Sequence, residues 1–256
     1  MSEPMLQVES LAKRFGGIVA ADDLALTVAA GELHAVIGPN GAGKTTLIAQ
    51  LSGQLAPDSG QIRFAGHDIT RLPMYRRSQL GLARSFQITS LFLDLSVLDN
   101  VALAVQAHAG HSFHFWRDAR QEAALRDPAR AALARVGLGA RADWPASALS
   151  HGEHRQLELA MALAGSPRML LLDEPMAGLG PEESARMVEM LRALKRELTI
   201  LLVEHDMEAV FALADRVTVL VYGRVIATGA PSDIRANAEV RDAYLGEAEQ
   251  GAAAHA

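Results

Sequence analysis

The stretch "AVIGPNGAGKTTLIAQ", residues 35–50, predicts a phosphate-binding loop between a strand and a helix. Residues 38–45 fit the pattern G-x-x-x-x-G-K-S/T. Glycines let backbone N–H groups turn toward phosphate oxygens, and the following helix presents its positive N-terminus to the same anion. We expect Lys44 to reach the β and γ phosphates and Thr45 to offer a hydroxyl to Mg²⁺. The predicted ATP-binding residues of this loop are Gly38, Pro39, Asn40, Gly41, Ala42, Gly43, Lys44, Thr45 and Thr46.

The composition is that of a globular chain without a nucleic-acid or secretory character. Half of its 256 residues are apolar, and it has 24 basic and 30 acidic residues, which gives a net charge of −6. The chain therefore has no excess of positive charge that would indicate nucleic acid as a partner. Cysteine is absent, which excludes disulfides and thiolate zinc sites. The first ten residues lack the order of a signal peptide, and no apolar run approaches the roughly 20 residues of a membrane helix. We expect a cytosolic chain that meets a membrane only through a partner.

Two hydrophobic patterns predict an α/β fold. Residues 6–28 alternate between apolar and polar, as the strands of a half-buried antiparallel sheet do. The later runs "LHAVIG", "MLLLD", "TILLVE" and "RVTVLVY" are continuously apolar and separated by helical stretches, which is typical of parallel strands buried on both faces. Residues 88–165 contain helix-like segments and no convincing strand, which indicates an inserted helical subdomain.

The predicted organisation is a single cassette with a P-loop core. Its parts are an N-terminal β subdomain with the first part of the core in residues 1–87, the helical subdomain in 88–165, the second part of the core in 166–246, and a flexible tail in 247–256.

Acidic and imidazole side chains follow two of the predicted parallel strands. The segment "LLLDEP" ends a strand with Asp173 and Glu174, at the sheet edge where ligands bind in α/β folds. Asp173 is predicted to hold Mg²⁺ and Glu174 to polarise an attacking water; the alternative is a pair of acids that cap the next helix. The next strand ends in "EHD", where His205 is placed to bond the γ-phosphate, although a lone histidine there is more often a core residue.

The order of five motifs resembles the ATP-binding subunits of ABC transporters. These motifs are the phosphate loop, "RSFQ", "LSHGE", "LLLDEP" and "VEHD", and the resemblance covers about residues 5–246. It implies a head-to-tail dimer in which "LSHGE" of one subunit, with Ser150, His151, Gly152 and Glu153, closes over ATP held by the phosphate loop of the other. Ser150 is expected to cap the helix that runs from Gly152.

The same resemblance assigns roles to two further residues. Phe15 matches the aromatic that stacks on adenine, and Gln87 matches the glutamine that acts in catalysis, contacts Mg²⁺ and senses the membrane subunit. Without the family, Phe15 is equally a core residue and Gln87 a solvated strand end. The predicted catalytic set is therefore Glu174, His205 and Gln87, and the predicted metal ligands are Thr45, Gln87 and Asp173.

Within this family, four segments resemble the branched-chain amino acid importers. They are "FGG", "SFQ" followed by "LFLDLSVLDNV", the insert "SFHFWRDAR", and the ending "EVRDAYLGE". The resemblance implies an ATPase on the cytoplasmic face of the inner membrane that uses ATP and Mg²⁺ to power import of branched-chain amino acids or related small polar compounds. Its partners would be a second ATP-binding subunit, identical or a close paralogue, two transmembrane permease subunits and, indirectly, an external solute-binding protein. The alternative is an ATPase of lipopolysaccharide export or of a soluble, non-transport ABC system.

Three positions differ from the wider family, and a group of three histidines has a spacing that could bind a metal. His151 replaces the first glycine of LSGGQ, Glu153 replaces its glutamine, and Gly180 replaces the aspartate or asparagine of the loop that links the two sites. Gly180 therefore lacks a side chain expected to reach across the dimer. Histidines at positions 108, 111 and 114 have a spacing that allows a metal site, but no carboxylate or thiolate completes it, so a polar surface is favoured.

Overall fold

The computed structural model describes residues 3–85, 91–109 and 122–243. Its strands are β1 Leu6–Phe15, β2 Ile18–Val28, β3 Leu33–Ile37, β4 Ser59–Phe64, β5 His67–Asp68, β6 Leu82–Arg84, β7 Met169–Asp173, β8 Thr199–Val203, β9 Arg216–Val221 and β10 Arg224–Gly229. Its helices are α1 Lys44–Ser52, α2 Met74–Gln79, α3 Val97–Ala109, α4 Ala123–Arg135, α5 His151–Leu163, α6 Pro181–Leu194, α7 Met207–Leu213 and α8 Pro231–Ala236.

Two sheets form the β framework. The first has the order β2-β1-β4-β5 and is antiparallel. The second has the order β10-β9-β3-β8-β7-β6; its strands are parallel except for β10, which pairs with β9 in the antiparallel sense at one edge. Because β3, β8 and β7 are neighbours and parallel, the segments that follow their carboxyl ends meet at one edge of the sheet.

Burial explains why the central strands are continuously apolar. Every residue of β3, β7 and β8 is buried, as expected for strands covered on both faces. The helices α3, α4 and α5 pack around a common core that includes Val101, Leu133 and Leu157. This core is continuous with one face of the parallel sheet, where Leu170 and Leu202 belong to the same cluster. The helical region is therefore anchored directly on the strands that carry the site.

A buried arginine fixes the far end of the helix after the phosphate loop. The Arg77 guanidinium donates to the carbonyl oxygens of Gln50 at 2.7 Å and Leu51 at 2.8 Å, in the last turn of α1. It also donates to the carbonyl oxygens of Thr70 and Leu72. Burial lowers the pKa of Arg77 to about 10, so the group still carries its charge at neutral pH. It satisfies helix-end carbonyls that otherwise lack partners.

The fold confirms the predicted class and adds strands that the sequence patterns did not indicate. The antiparallel pairing of β1 with β2 and the parallel strands at the four predicted apolar runs are present. The short strands β4, β5, β6 and β10 were not predicted. Within residues 91–109 and 122–165, the structure shows helices and one isolated β-bridge, between Ser96 and Pro145. The predicted domain bounds stay predictions, and the tail 247–256 lies outside the described residues.

No helix among the described residues is both long and apolar enough to cross a membrane.

Candidate nucleotide-binding and catalytic site

The phosphate loop leaves β3 and enters α1 at Lys44, pressed against neighbouring backbone. Gly38 and Gly43 have φ angles of +155° and +103°. A Cβ on Gly38 would lie 2.0 Å from the carbonyl oxygen of Leu220, and one on Gly43 would lie 2.2 Å from that of Ala20. Backbone atoms cannot move aside as a flexible side chain can. These two positions therefore require glycine for packing as well as for conformation.

Lys44 lies inside the loop it terminates. Its Nζ donates to the carbonyl oxygens of Gly38 at 2.5 Å and Pro39 at 2.9 Å, and the residue is buried. The helix N-cap is Gly43, which has no side chain to cap the first N–H groups, and the first turn of α1 contains no acidic residue. The ammonium and the helix N-terminus thus present positive charge on the same loop, as a phosphate site requires.

Asp173 ends β7 as a buried carboxylate whose two oxygens differ in their hydrogen bonds. Its Oδ2 accepts a hydrogen bond from Arg84 Nη2 at 3.1 Å. Its Oδ1 is buried and has no hydrogen-bond partner among the described residues. Burial raises the pKa of Asp173, while Arg84 and, more weakly, Lys44 oppose this rise.

These residues fit a magnesium ion that is held partly by its nucleotide. An unpaired buried carboxylate oxygen and the Thr45 hydroxyl are the hard oxygen ligands that Mg²⁺ prefers. In the described part of the chain, no group of three or more acidic, histidine or cysteine side chains forms a metal cage. Mg²⁺ does not need one, because it usually binds through one or two protein oxygens together with phosphates and waters.

Glu174 and His205 face each other at the carboxyl ends of β7 and β8. Glu174 adopts a left-handed backbone conformation with φ of +50°, and its N–H donates to the carbonyl of Val203 at 2.9 Å. His205 Nδ1 lies 3.9 Å from Glu174 Oε1, and the imidazole is 63% exposed. A left-handed non-glycine residue is uncommon and often occurs at functional sites. The histidine is therefore an exposed partner of the acid and not a core residue.

Glu204 is a structural member of this site that sequence reasoning did not single out. It is fully buried, and its Oε1 accepts from the backbone N–H of Met176 at 2.9 Å. Its Oε2 accepts from the N–H of His205 at 3.0 Å. The carboxylate thus holds together the segments that follow β7 and β8. An acid directly after a fully buried apolar strand was the available clue.

The "LSHGE" motif forms the N-terminus of α5. Ser150 is the N-cap; its Oγ accepts from the N–H of Glu153 at 3.2 Å, and Glu153 Oε2 accepts from the N–H of Ser150 at 2.9 Å. This reciprocal pair is a capping box. Glu153 also pairs with Arg141 at 2.7 Å. Helix α5 therefore begins at His151, with its first turn fixed by its own side chains.

Glu183 of α6 covers the start of this helix. A Cβ on Gly152 would lie 2.6 Å from Glu183 Oε1, and His151 is exposed. Ser150, Gly152, Glu153 and Glu183 line a cavity of about 250 Å³ that includes no residue of the loop 38–46. The structure therefore does not place the "LSHGE" residues against the phosphate loop of the same chain.

The remaining predicted positions have mixed outcomes. Phe15 is 48% exposed, with Lys13 Nζ 5.6 Å from its ring centroid, so it is not a core residue. Gly180 is the N-cap of α6, and its N–H donates to Glu183 Oε2 at 3.4 Å. His108 Nε2 lies 3.5 Å from Ser78 Oγ. Residues 87, 111 and 114 lie outside the described residues.

Together, the phosphate loop, Asp173 at the end of β7, Glu174 directly after it and the histidine after β8 are typical of a P-loop ATPase. Residues 21–177 match the family model described as ABC transporter, and residues 224–250 match the one described as branched-chain amino acid ATP-binding cassette transporter. The chain belongs to the ABC transporter family and is an ATP-hydrolysing cassette of it. The predicted family, fold class and enzymatic activity are thereby confirmed.

Relatives and solved structures match this chain over nearly its whole length. The high-affinity branched-chain amino acid transport ATP-binding proteins LivG of Salmonella typhimurium and BraF of Pseudomonas aeruginosa are each 38% identical over 97% of this chain and 100% of their own. The lipopolysaccharide export system ATP-binding protein LptB of Acidithiobacillus ferridurans is 36% identical over 96% of this chain and 98% of its own. An ATP-binding cassette of an ABC transporter in its ADP conformation is 28% identical, with a TM-score of 0.85, over 96% of this chain and 100% of that one.

Proposed function

We propose that this chain powers an importer of branched-chain amino acids, or of related small polar compounds, from the cytoplasmic face of the membrane. The observation that carries the cargo class is the match of residues 224–250 to the branched-chain amino acid cassette model. Full-length similarity to LivG and BraF supports it. Similarity to LptB is nearly as high, at 36% identity over 96% of this chain. Lipopolysaccharide export is therefore the alternative to be tested.

The chain's own residues supply binding and positioning for ATP. Backbone N–H groups of residues 38–46 face the phosphates, except at Pro39, which has none, and at Ala42, whose N–H donates to the Pro39 carbonyl. Lys44 exchanges its bonds to the carbonyls of Gly38 and Pro39 for bonds to phosphate oxygens. Asp173 and Thr45, together with Gln87, would hold Mg²⁺. When bound, Mg²⁺ neutralises charge on the transferring phosphoryl group. Phe15, exposed at the end of β1, stacks on the adenine.

Glu174 and His205 act on the attacking water. The water oxygen bonds to the γ-phosphorus, its proton passes to the Glu174 carboxylate, and the bond to the ADP oxygen breaks. His205, 3.9 Å from Glu174, orients that carboxylate and the γ-phosphate. Glu204 fixes the backbone on both sides of this pair through Met176 and His205. Gln87 completes the catalytic set.

We propose that the site is completed by a second subunit, because the cavity lined by Ser150, Gly152 and Glu153 includes no residue of the loop 38–46. We infer that residues 150–153 of one subunit close over the ATP held by its partner, where the N-terminus of α5 faces the γ-phosphate. Glu183 then has to move from Gly152, because its carboxylate would repel a phosphate there.

An apolar groove offers a docking surface for a permease subunit. The groove has a volume of about 370 Å³ and lies between α2, α3 and β6. Its lining includes the exposed side chains of Met74, Tyr75, Phe92 and Leu103. Exposed apolar patches of this kind mark protein contacts. We propose that an apolar permease segment occupies it, in an assembly of two cassettes and two permease subunits that an external binding protein supplies.

Uptake by cells of the source organism that lack this chain tests the cargo class. We expect uptake of labelled leucine, isoleucine and valine to fall, and to recover with the wild-type chain but not with Glu174→Gln. The matched control is Glu189→Gln, an exposed acid on α6 paired with Arg192. Normal amino acid uptake together with defective lipopolysaccharide export would replace the proposal by its alternative.

Mixing two inactive variants tests the shared site. Lys44→Ala disables the phosphate loop, and Gly152→Asp disables the "LSHGE" helix, so each variant alone has two defective sites. In a mixed pair one site combines the two intact halves, so about a quarter of wild-type activity returns if the sites act independently and the chains pair at random. Absence of any recovery would contradict a site shared between two copies of this chain. In the wild type, specific activity should also rise with protein concentration.

A further inference from the structure

We propose that Arg84 positions Asp173 and links this carboxylate to the floor of the apolar groove, so that contacts made at Gln54 alter Mg²⁺ binding. The proposal rests on the proposed function, since it assumes that Asp173 ligates Mg²⁺ and that a permease segment occupies the groove. Arg84 is the first residue of the "RSFQ" motif, but the sequence indicated a role only for Gln87 of that motif.

The guanidinium of Arg84 bridges three elements with the two arms of its fork. Nη2 donates to Asp173 Oδ2 at 3.1 Å, at the end of β7. Nη1 donates to Gln54 Oε1 and, at 3.3 Å, to Ser52 Oγ at the end of α1. The Arg84 side chain is 9% exposed and that of Asp173 is 1% exposed, so the ion pair is shielded from water. A shielded, charge-assisted bond orients its acceptor far more firmly than an exposed one does.

The bond to Arg84 leaves only one carboxylate oxygen of Asp173 available to a cation. Arg84 occupies Oδ2, and Oδ1 is the buried oxygen that has no partner among the described residues. Arg84 thereby fixes which oxygen is offered to Mg²⁺. Partners of a metal ligand typically change metal affinity by about 10-fold to 100-fold when removed.

The other arm of the fork reaches the groove. Ser52, Gln54 and Arg84 all line it, next to the exposed Met74 and Tyr75. Gln54 is exposed, so a segment seated in the groove can displace its side chain from Arg84. Loss of that bond frees Nη1 and lets the guanidinium shift, and the shift is passed to Asp173 because both arms belong to one rigid plane. Groove and metal site are thus two ends of one hydrogen-bonded unit.

ADP binding to the isolated chain, measured by calorimetry with Mg²⁺ and with a chelator, tests both halves of the proposal. The quantity of interest is the ADP affinity measured with Mg²⁺ divided by the ADP affinity measured with chelator. We expect Arg84→Met to lower the ratio by about tenfold while leaving the affinity in chelator nearly unchanged. Gln54→Leu should lower the ratio by a smaller factor, although Gln54 makes no bond to Asp173. Arg63→Met, which removes an exposed arginine bonded to Gln61, is the matched control.

The possible outcomes distinguish a failure of the proposed metal role of Asp173 from a failure of the role of Arg84. A wild-type chain whose ADP affinity does not increase with Mg²⁺ would overturn the metal role of Asp173 and the proposal with it. If Mg²⁺ raises the ADP affinity of Arg84→Met as much as that of the wild type, the role of Arg84 is overturned. If Mg²⁺ raises the ADP affinity of Gln54→Leu as much as that of the wild type, while Arg84→Met has lost this increase, only the link to the groove is overturned. If Arg84→Met does not fold, Arg84→Lys carries the test. Lysine keeps the charge but cannot hold both arms, so it should still lower the ratio.

Discussion

The phosphate-loop end and the "LSHGE" end of this molecule are built in opposite ways. Lys44 and Asp173 are buried, and Gly38 and Gly43 lie so close to the backbone of Leu220 and Ala20 that a Cβ would not fit. Ser150 and His151 are exposed at a helix N-terminus whose close neighbour is the movable side chain of Glu183. The phosphate-loop end, with Lys44 and Asp173, is held by contacts within its own chain, and we call it the fixed end. The "LSHGE" end, with Ser150 and His151, is exposed to a second molecule, and we call it the open end. From this difference we infer that each chain binds phosphate with its own loop, and that its "LSHGE" residues close over the ATP of a second subunit.

The largest expected effect concerns the acid at the fixed end. Glu174→Gln should leave ATP binding intact and lower kcat by about 1000-fold, because the amide cannot accept the proton of the attacking water. Steady-state ATPase assays and ATP-binding measurements on the same sample check this, with Glu189→Gln as the control. Near-normal turnover would remove Glu174 from the chemistry and leave the fixed end as a binding site only.

The second effect concerns the open end. Gly152→Asp should lower the ATPase rate of the assembled complex by about 100-fold, because it adds a negative charge where a phosphate has to approach. In the isolated chain the new carboxylate also meets that of Glu183, whose flexible end can move, so we expect the fold to persist.

Two neighbouring substitutions sharpen this test. Gly152→Ala adds bulk without charge and should have an intermediate effect, while His151→Gly should retain most of the activity because its side chain is exposed. Full activity in Gly152→Asp would mean that the N-terminus of α5 does not meet ATP.

The third effect separates positioning from binding at the fixed end. His205→Ala should lower kcat about tenfold with little change in KM for ATP, because a group that orders the water and the γ-phosphate acts mainly in the transition state. His67→Ala, at an exposed position on β5, is the control. A raised KM with kcat unchanged would assign His205 to ground-state binding instead.

The smallest effect concerns the cap of the open end. Ser150→Ala removes the acceptor for the Glu153 N–H and should lower the free energy of unfolding by about 1 kcal/mol, measured by urea denaturation. Ser150→Thr should recover most of this loss, because threonine also caps helices. An unchanged stability in Ser150→Ala would show that the first turn of α5 does not depend on its capping box.

Much of the fixed end was predictable because its elements are local. The phosphate loop is a continuous pattern, and the runs at β3, β7 and β8 are apolar along their whole length. Since parallel strands place their carboxyl ends at one edge, the proximity of Glu174 and His205 also followed. The strand β6 was missed because three residues carry no clear periodicity. The strands β4 and β10 were missed because they lack a continuous apolar run, and pairing with β1 and β9 is what makes them strands.

The sequence by itself determined the family, the P-loop core and the residues at the strand ends, because these depend on contiguous motifs and on hydrophobic runs. Only the tertiary structure decided that Arg84 meets Asp173 across 89 positions, that Glu204 bonds Met176 across 28, and that Glu183 covers Gly152. The physical reason is sheet order: β6 lies beside β7, and β7 beside β8, so residues that are far apart in the chain share one buried edge. At such an edge a charge has to find a partner, and that partner is set by three-dimensional proximity.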